Sequence, residues 1–80
     1  MSYIEEKAKN ILAVVLKLDS DEAITNASMN SISGWDSMLH LSIITGLENE
    51  FDIFIEASEA EKLTSYASII DFLNNHPEID

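Results

Sequence analysis

Eighty residues are enough for one domain (1–80) with a single small core and too few for that core plus a deep enzyme cleft; an apolar share of 46% predicts a folded chain. Fifteen acidic side chains against four basic ones give a formal charge of −11, a field that repels nucleic acid and anionic membranes and attracts partners with basic patches. The absence of cysteine excludes a disulfide, a thiolate metal site and a cysteine nucleophile, and no apolar run approaches the ~20 residues of a membrane span.

Ser2 is placed to cap a first helix, with Glu5 completing a capping box. Ile4, Ala8, Ile11, Leu12, Val15 and Leu18 recur at helical spacing along it, and Lys17 lies near its C-terminal end, where the dipole favours a cation. The opening residues lack a basic segment and a small-residue cleavage site, so a cytoplasmic protein is expected. From Asp19 to Asp36 there is no sustained period, and Ser, Asn and Asp dominate. So long a loop is unusual in a compact domain; Ile24, Met29, Ile32 and Trp35 are expected to pin it to the core as an ordered loop.

A second helix is expected from Ser37 to Phe51, with Asp36 as its N-cap. His40, Ile43, Ile44, Leu47 and Phe51 share one face. Met38, Leu41, Thr45 and Glu48 run beside it, and Leu39, Ser42, Gly46 and Asn49 form a third, mostly small and polar stripe. The apolar arc is wider than one core face needs, so the second stripe either docks a partner or packs under the long loop. Phe51 to Ile55 alternates like a strand, but nothing else in the chain offers a second strand, so an extended connector is expected. Glu56 to Leu63 reads as a short helix or single turn. Thr64 or Ser65 caps a last helix carrying Tyr66, Ile69, Ile70 and Leu73, which ends at Asn74-Asn75-His76-Pro77.

Ser37 is the most telling residue. It falls where a polar loop meets an apolar helical pattern, so its hydroxyl stands at a helix start, where unpaired N–H groups and the dipole favour a phosphate. Gly34-Trp35-Asp36-Ser37-Met38 resembles the Asp-Ser-Leu motif of acyl and peptidyl carrier proteins, with Met for Leu. Leu47-Glu48-Asn49-Glu50-Phe51-Asp52-Ile53 is similar to the Leu-Glu-Glu-Glu-Phe run closing helix two in that family. Ala60-Glu61-Lys62-Leu63-Thr64-Ser65 is similar to its short third helix and the cap of its fourth. The resemblance covers the chain from Tyr3 to Leu73.

It implies an all-α, antiparallel four-helix bundle with a long loop between helices one and two and a short third helix. It further implies a stand-alone, non-catalytic carrier; a monomer is the default expectation, since nothing in the sequence argues for an oligomer. A phosphopantetheinyl transferase would attach 4′-phosphopantetheine from coenzyme A to Ser37, using Mg²⁺. A loading ligase or adenylation enzyme would charge the arm with an acyl or aminoacyl group as a thioester, and condensing or acyl-transferring enzymes would receive it. Asp36 would cap the helix and help to orient Ser37. Met38, Leu41 and Thr45 match family positions that touch partners, Leu39 stands beside them, and Glu48, Asp52 and Glu56, with Glu50, supply docking acids.

Two positions depart from the fatty-acid-synthesis carriers, which bear acids after Asp-Ser-Leu where this chain has Leu39 and Ser42. The Trp-Asp-Ser pattern followed by His-Leu looks more like carriers of polyketide, peptide or other specialised pathways; a fatty-acid carrier is the alternative. An acidic helical protein-interaction module with a bare Ser37 is the competitor of another class. Ser37 and His40, three apart on one helix, cannot assemble a hydrolytic triad, so His40 is expected to be a partly buried packing residue. Asp19, Asp21 and Glu22 resemble the start of a calcium loop, but Ile24 and Asn30 stand where glycine and glutamate are needed, so no metal site is expected.

Overall fold

The computed structural model describes residues 3–77 and 79, and Ser2, with its expected capping box, lies outside them. The chain forms five helices: α1 (Tyr3–Leu16), α2 (Asp21–Thr25), α3 (Ser37–Phe51), α4 (Ala57–Ala60) and α5 (Tyr66–Asn74). Among the described residues there is no strand, only one isolated bridge, so the all-helical expectation holds.

Helix α1 buries Ala8, Leu12 and Leu16 and packs against α3, α5 and α2, so these three gather around it. The inward stripe closes on Leu16 rather than Leu18, because the helix stops at Leu16. Lys17 turns into the left-handed region at φ 58°, and the Leu18 N–H donates back to the Ala13 carbonyl at 3.0 Å. Lys17 therefore lies at the C-terminal end of α1, as expected, immediately after its last turn, and is the residue that ends it.

The stretch expected as a plain loop contains α2. Ser20 caps it by accepting from the Ala23 N–H at 3.1 Å, and Ile24 is its one buried side chain. Asp19 to Glu22 is thus a helix start, and Asp21 bonds Lys9 of α1 at 2.8 Å. A helix of five residues is too short to show a period, which is why the pattern missed it. The rest of the loop is ordered as expected. Ala27 and Trp35 are buried, and Met29 and Ile32 pack against the core. Ser28 pairs antiparallel with Ser65: the Met29 N–H donates to the Thr64 carbonyl at 2.9 Å and the Tyr66 N–H to the Ala27 carbonyl at 3.0 Å.

Helix α3 has the expected bounds and buries Ile43, Ile44, Leu47 and Phe51. It approaches α1 closely at Gly46, where an added Cβ would stand 3.2 Å from Ile11 Cγ2. The connector after it is extended, with Ile53 and Ile55 buried and Phe54 exposed between them. Helix α4 is a single turn and buries nothing, although Leu63 just beyond it is buried. Ser65 rather than Thr64 caps α5, in a reciprocal capping box with Ser68; Tyr66, Ile69 and Leu73 face inward.

Candidate functional site

The start of α3 is built from three neighbouring residues. Trp35 is 3% exposed and anchors the chain in the core, with its N–H donating to the Ile32 carbonyl at 3.0 Å. Asp36 follows in an extended conformation (φ −106°, ψ −171°). Its carboxylate accepts from the Leu39 N–H at 3.0 Å, and its carbonyl accepts the first helical bond from the His40 N–H at 2.8 Å. Asp36 is therefore the N-cap, as expected. Ser37 is the first helical residue and is exposed; among the described residues its hydroxyl has no hydrogen-bond partner. The N–H groups of Ser37 and Met38 lie ahead of the first helical bond and point out of the helix end. No acid occupies the first turn of α3, so nothing within it opposes an anion there.

His40, one turn on, is half-buried and bonded at both ring nitrogens. The Trp35 indole N–H donates to Nδ1 at 3.1 Å, and Nε2 lies 2.7 Å from the Ala60 carbonyl of α4. An indole can only donate and a carbonyl can only accept, so the ring is the neutral tautomer with its proton on Nε2. Neither nitrogen is directed at Ser37. His40 is the packing residue expected, with a bridging role the sequence did not disclose. The spacing of Trp35 and His40 is the only sequence trace of this contact, and Ala60 leaves none.

The second stripe of α3 divides. Met38 is 78% and Leu41 67% exposed, and Thr45 is exposed beside them, so these side chains do not pack under the loop. Leu39 is half-buried against the core. Glu48 is half-buried as well, and its carboxylate accepts from the Ile55 N–H at 2.8 Å, which fixes the connector after α3. Asp52 is exposed and left-handed at φ 55°, and Glu56 is exposed ahead of α4, where its carbonyl, not its side chain, receives the helix N–H groups. Phe54, at 72% exposed, is an apolar surface residue that the sequence reading did not single out. The alternation of Phe51 to Ile55 was the available signal, because it turns Ile53 and Ile55 inward and Phe54 out.

Two ionisable groups away from this corner are shifted. The Asp21 hydrogen bond holds the Lys9 ammonium above its ordinary value, and burial pushes the Tyr66 phenol up. A surface groove of about 590 Å³ lies along α5 between Leu63, Phe72 and His76, and residues 34–41 take no part in it. Among the described residues no group of three His, Asp or Glu side chains is placed to hold a metal ion, and no helix is long and apolar enough to cross a membrane. No family model matches the chain.

Proposed function

We propose that this chain is a carrier whose Ser37 receives a 4′-phosphopantetheine arm. The observation that carries the reading is an exposed serine hydroxyl, without a protein partner, at the start of a 15-residue helix whose first turn holds no acid. A phosphodiester on Ser37 fits this corner. The outward N–H groups of Ser37 and Met38 are donors for its oxygens, and the Asp36 carboxylate is already engaged by Leu39. When bound, the arm supplies a thiol that carries an acyl or aminoacyl group as a thioester, the one working thiol in a chain without cysteine.

In the loading step Ser37 Oγ bonds to the pantetheine-side phosphorus of coenzyme A. The diphosphate bond breaks, adenosine 3′,5′-bisphosphate leaves with its electron pair, and the hydroxyl proton passes to a base of the transferase. His40 does not serve as that base, because its nitrogens face Trp35 and Ala60. The chain's own part is to present Ser37 on a rigid corner and to offer Met38, Leu41 and Thr45 as a surface for the transferase, for loading ligases and for condensing or acyl-transferring enzymes. It performs no chemistry itself and works by holding cargo at high effective concentration. The all-helical architecture, with long α1 and α3, shorter α5 and a single-turn α4, is compatible with this reading. The weak acidity beside Ser37 favours a specialised biosynthetic pathway over fatty-acid synthesis. The net charge of −11 fits protein partners with basic patches rather than nucleic acid or membranes, and a cytoplasmic monomer is the corresponding setting.

The test is intact mass before and after incubation with coenzyme A, Mg²⁺ and a broad-specificity phosphopantetheinyl transferase. One phosphopantetheine should be added to the wild type and none to Ser37→Ala, whose melting temperature should be unchanged because Asp36 supplies the cap. A folded wild type that gains no mass would count against the carrier and leave Met38 and Leu41 as the face of an acidic interaction module.

A further inference from the structure

We propose that His40 is a positioning residue for Ser37, holding the Trp35–Ser37 corner through Nδ1 and tying that corner to α4 through Nε2. The inference rests on the reading of Ser37 as the modified residue and adds what keeps that residue in place. Ser37 has no side-chain bond of its own among the described residues, so its location depends on its neighbours. Behind it the chain hangs on the buried Trp35; ahead of it α3 begins. Covalent backbone alone would let the indole and the helix turn against one another about Asp36.

The imidazole removes that freedom. It accepts from the indole across a gap of five residues and donates to Ala60 across twenty, so loop, helix start and α4 share one hydrogen-bonded ring system. The rings lie 6.1 Å apart between centroids and are tilted by 32°, so the contact is in part a packing one. Helix α4 buries no residue of its own, and the 2.7 Å bond to its last residue ties it to α3. A half-buried imidazole with both nitrogens satisfied has one orientation available.

The two bonds can be separated. In His40→Asn the amide oxygen stands close to where Nδ1 stands and can still accept from Trp35, while the bond to Ala60 is lost. In His40→Gln the amide nitrogen reaches towards Ala60, while the acceptor for Trp35 is lost. His40→Ala removes both. The protein carries one tryptophan, so its indole N–H resonance reports the first bond without ambiguity. Loading with coenzyme A, Mg²⁺ and the transferase is measured for each variant at a temperature below its unfolding transition.

Misplacing a nucleophile lowers kcat, whereas the docking face at Met38 and Leu41 is untouched, so KM should hold. His40→Ala and His40→Gln should lose roughly tenfold to a hundredfold in kcat and shift the indole resonance. His40→Asn should retain most of the kcat and the resonance. A merely structural role would lower melting temperatures and leave kcat alone. A loaded wild type with wild-type kcat in all three variants, or equal kcat in the Asn and Gln variants, overturns the inference while leaving the carrier reading intact. Should His40→Ala fail to fold, the Asn and Gln pair decides; failure of both to fold overturns it, because His40 would then be a core residue. An unloaded wild type removes the carrier reading and this inference together.

Discussion

The two ends of α3 are secured by opposite means. At the C-terminal end backbone and carboxylate groups fold back on the chain and close the turn. Asp52 adopts φ 55°, the Ile53 N–H returns to the Glu48 carbonyl at 3.1 Å, and the Glu48 carboxylate takes the Ile55 N–H at 2.8 Å. At the N-terminal end the fastening is set one residue back and one turn ahead, at Trp35 and His40, with a single cap from Asp36. The donors of Ser37 and Met38 are left facing out. A helix end that is to hold something must be rigid without being satisfied, and burying a tryptophan behind the serine achieves that.

That contrast can be broken most severely at Trp35. Trp35→Ala removes the buried anchor and should cost about 3–5 kcal/mol in urea unfolding, by lost transfer energy and the cavity left behind. A loss under ~1 kcal/mol would mean that the loop repacks and that the corner is held otherwise. Asp36→Ala removes one cap and should cost about 1 kcal/mol while leaving α3 intact; circular dichroism showing a lost turn would mean that the cap nucleates the helix.

At the other end, Asp52→Gly should raise stability by about 0.5–1 kcal/mol. Relief of the left-handed backbone, about 1–2 kcal/mol, exceeds the extra chain entropy of glycine, about 0.5–1 kcal/mol. A destabilised variant would show that the Asp52 carboxylate makes a contribution the backbone geometry does not express. The smallest effect lies away from both ends. Lys9 and Tyr66 are both shifted upward, so the folded state holds their protons more tightly than the unfolded state does. Their contribution is present below pH about 10 and is lost as pH rises through their folded values. Melting temperature should therefore fall in strong alkali, and less so in Tyr66→Phe; an identical alkaline fall in that variant would place its origin elsewhere.

Helix α3 was legible because fifteen residues carry four turns of apolar spacing and begin at an aspartate that caps. So was the ordered loop, through Ile24 and Trp35, both buried. Helix α2 was not legible, since five residues with one buried side chain show no period. The stops at Lys17 and Asp52 were hidden for another reason: neither is glycine, and left-handed conformations in other residues leave no mark in composition. In the candidate site, Ser37 and Asp36 were readable as local chemistry. The Trp35–His40–Ala60 bridge was not, because its second bond joins residues twenty apart and is made to a backbone carbonyl, which any residue type provides.

The short bridge between Ser28 and Ser65 carries a consequence for the order of events in folding. It fastens the segment before Ser37 to the cap of α5, so closing it requires the ends of a long intervening stretch to meet. The amides of Met29 and Tyr66 are both held by this pairing, so they should be protected from exchange together. Closing this pairing therefore requires the cap of α5 to be in place beside the loop. A nascent or partly unravelled chain would offer the serine without its setting, and an enzyme that reads that setting would discriminate folded from unfolded chain before any covalent bond is made.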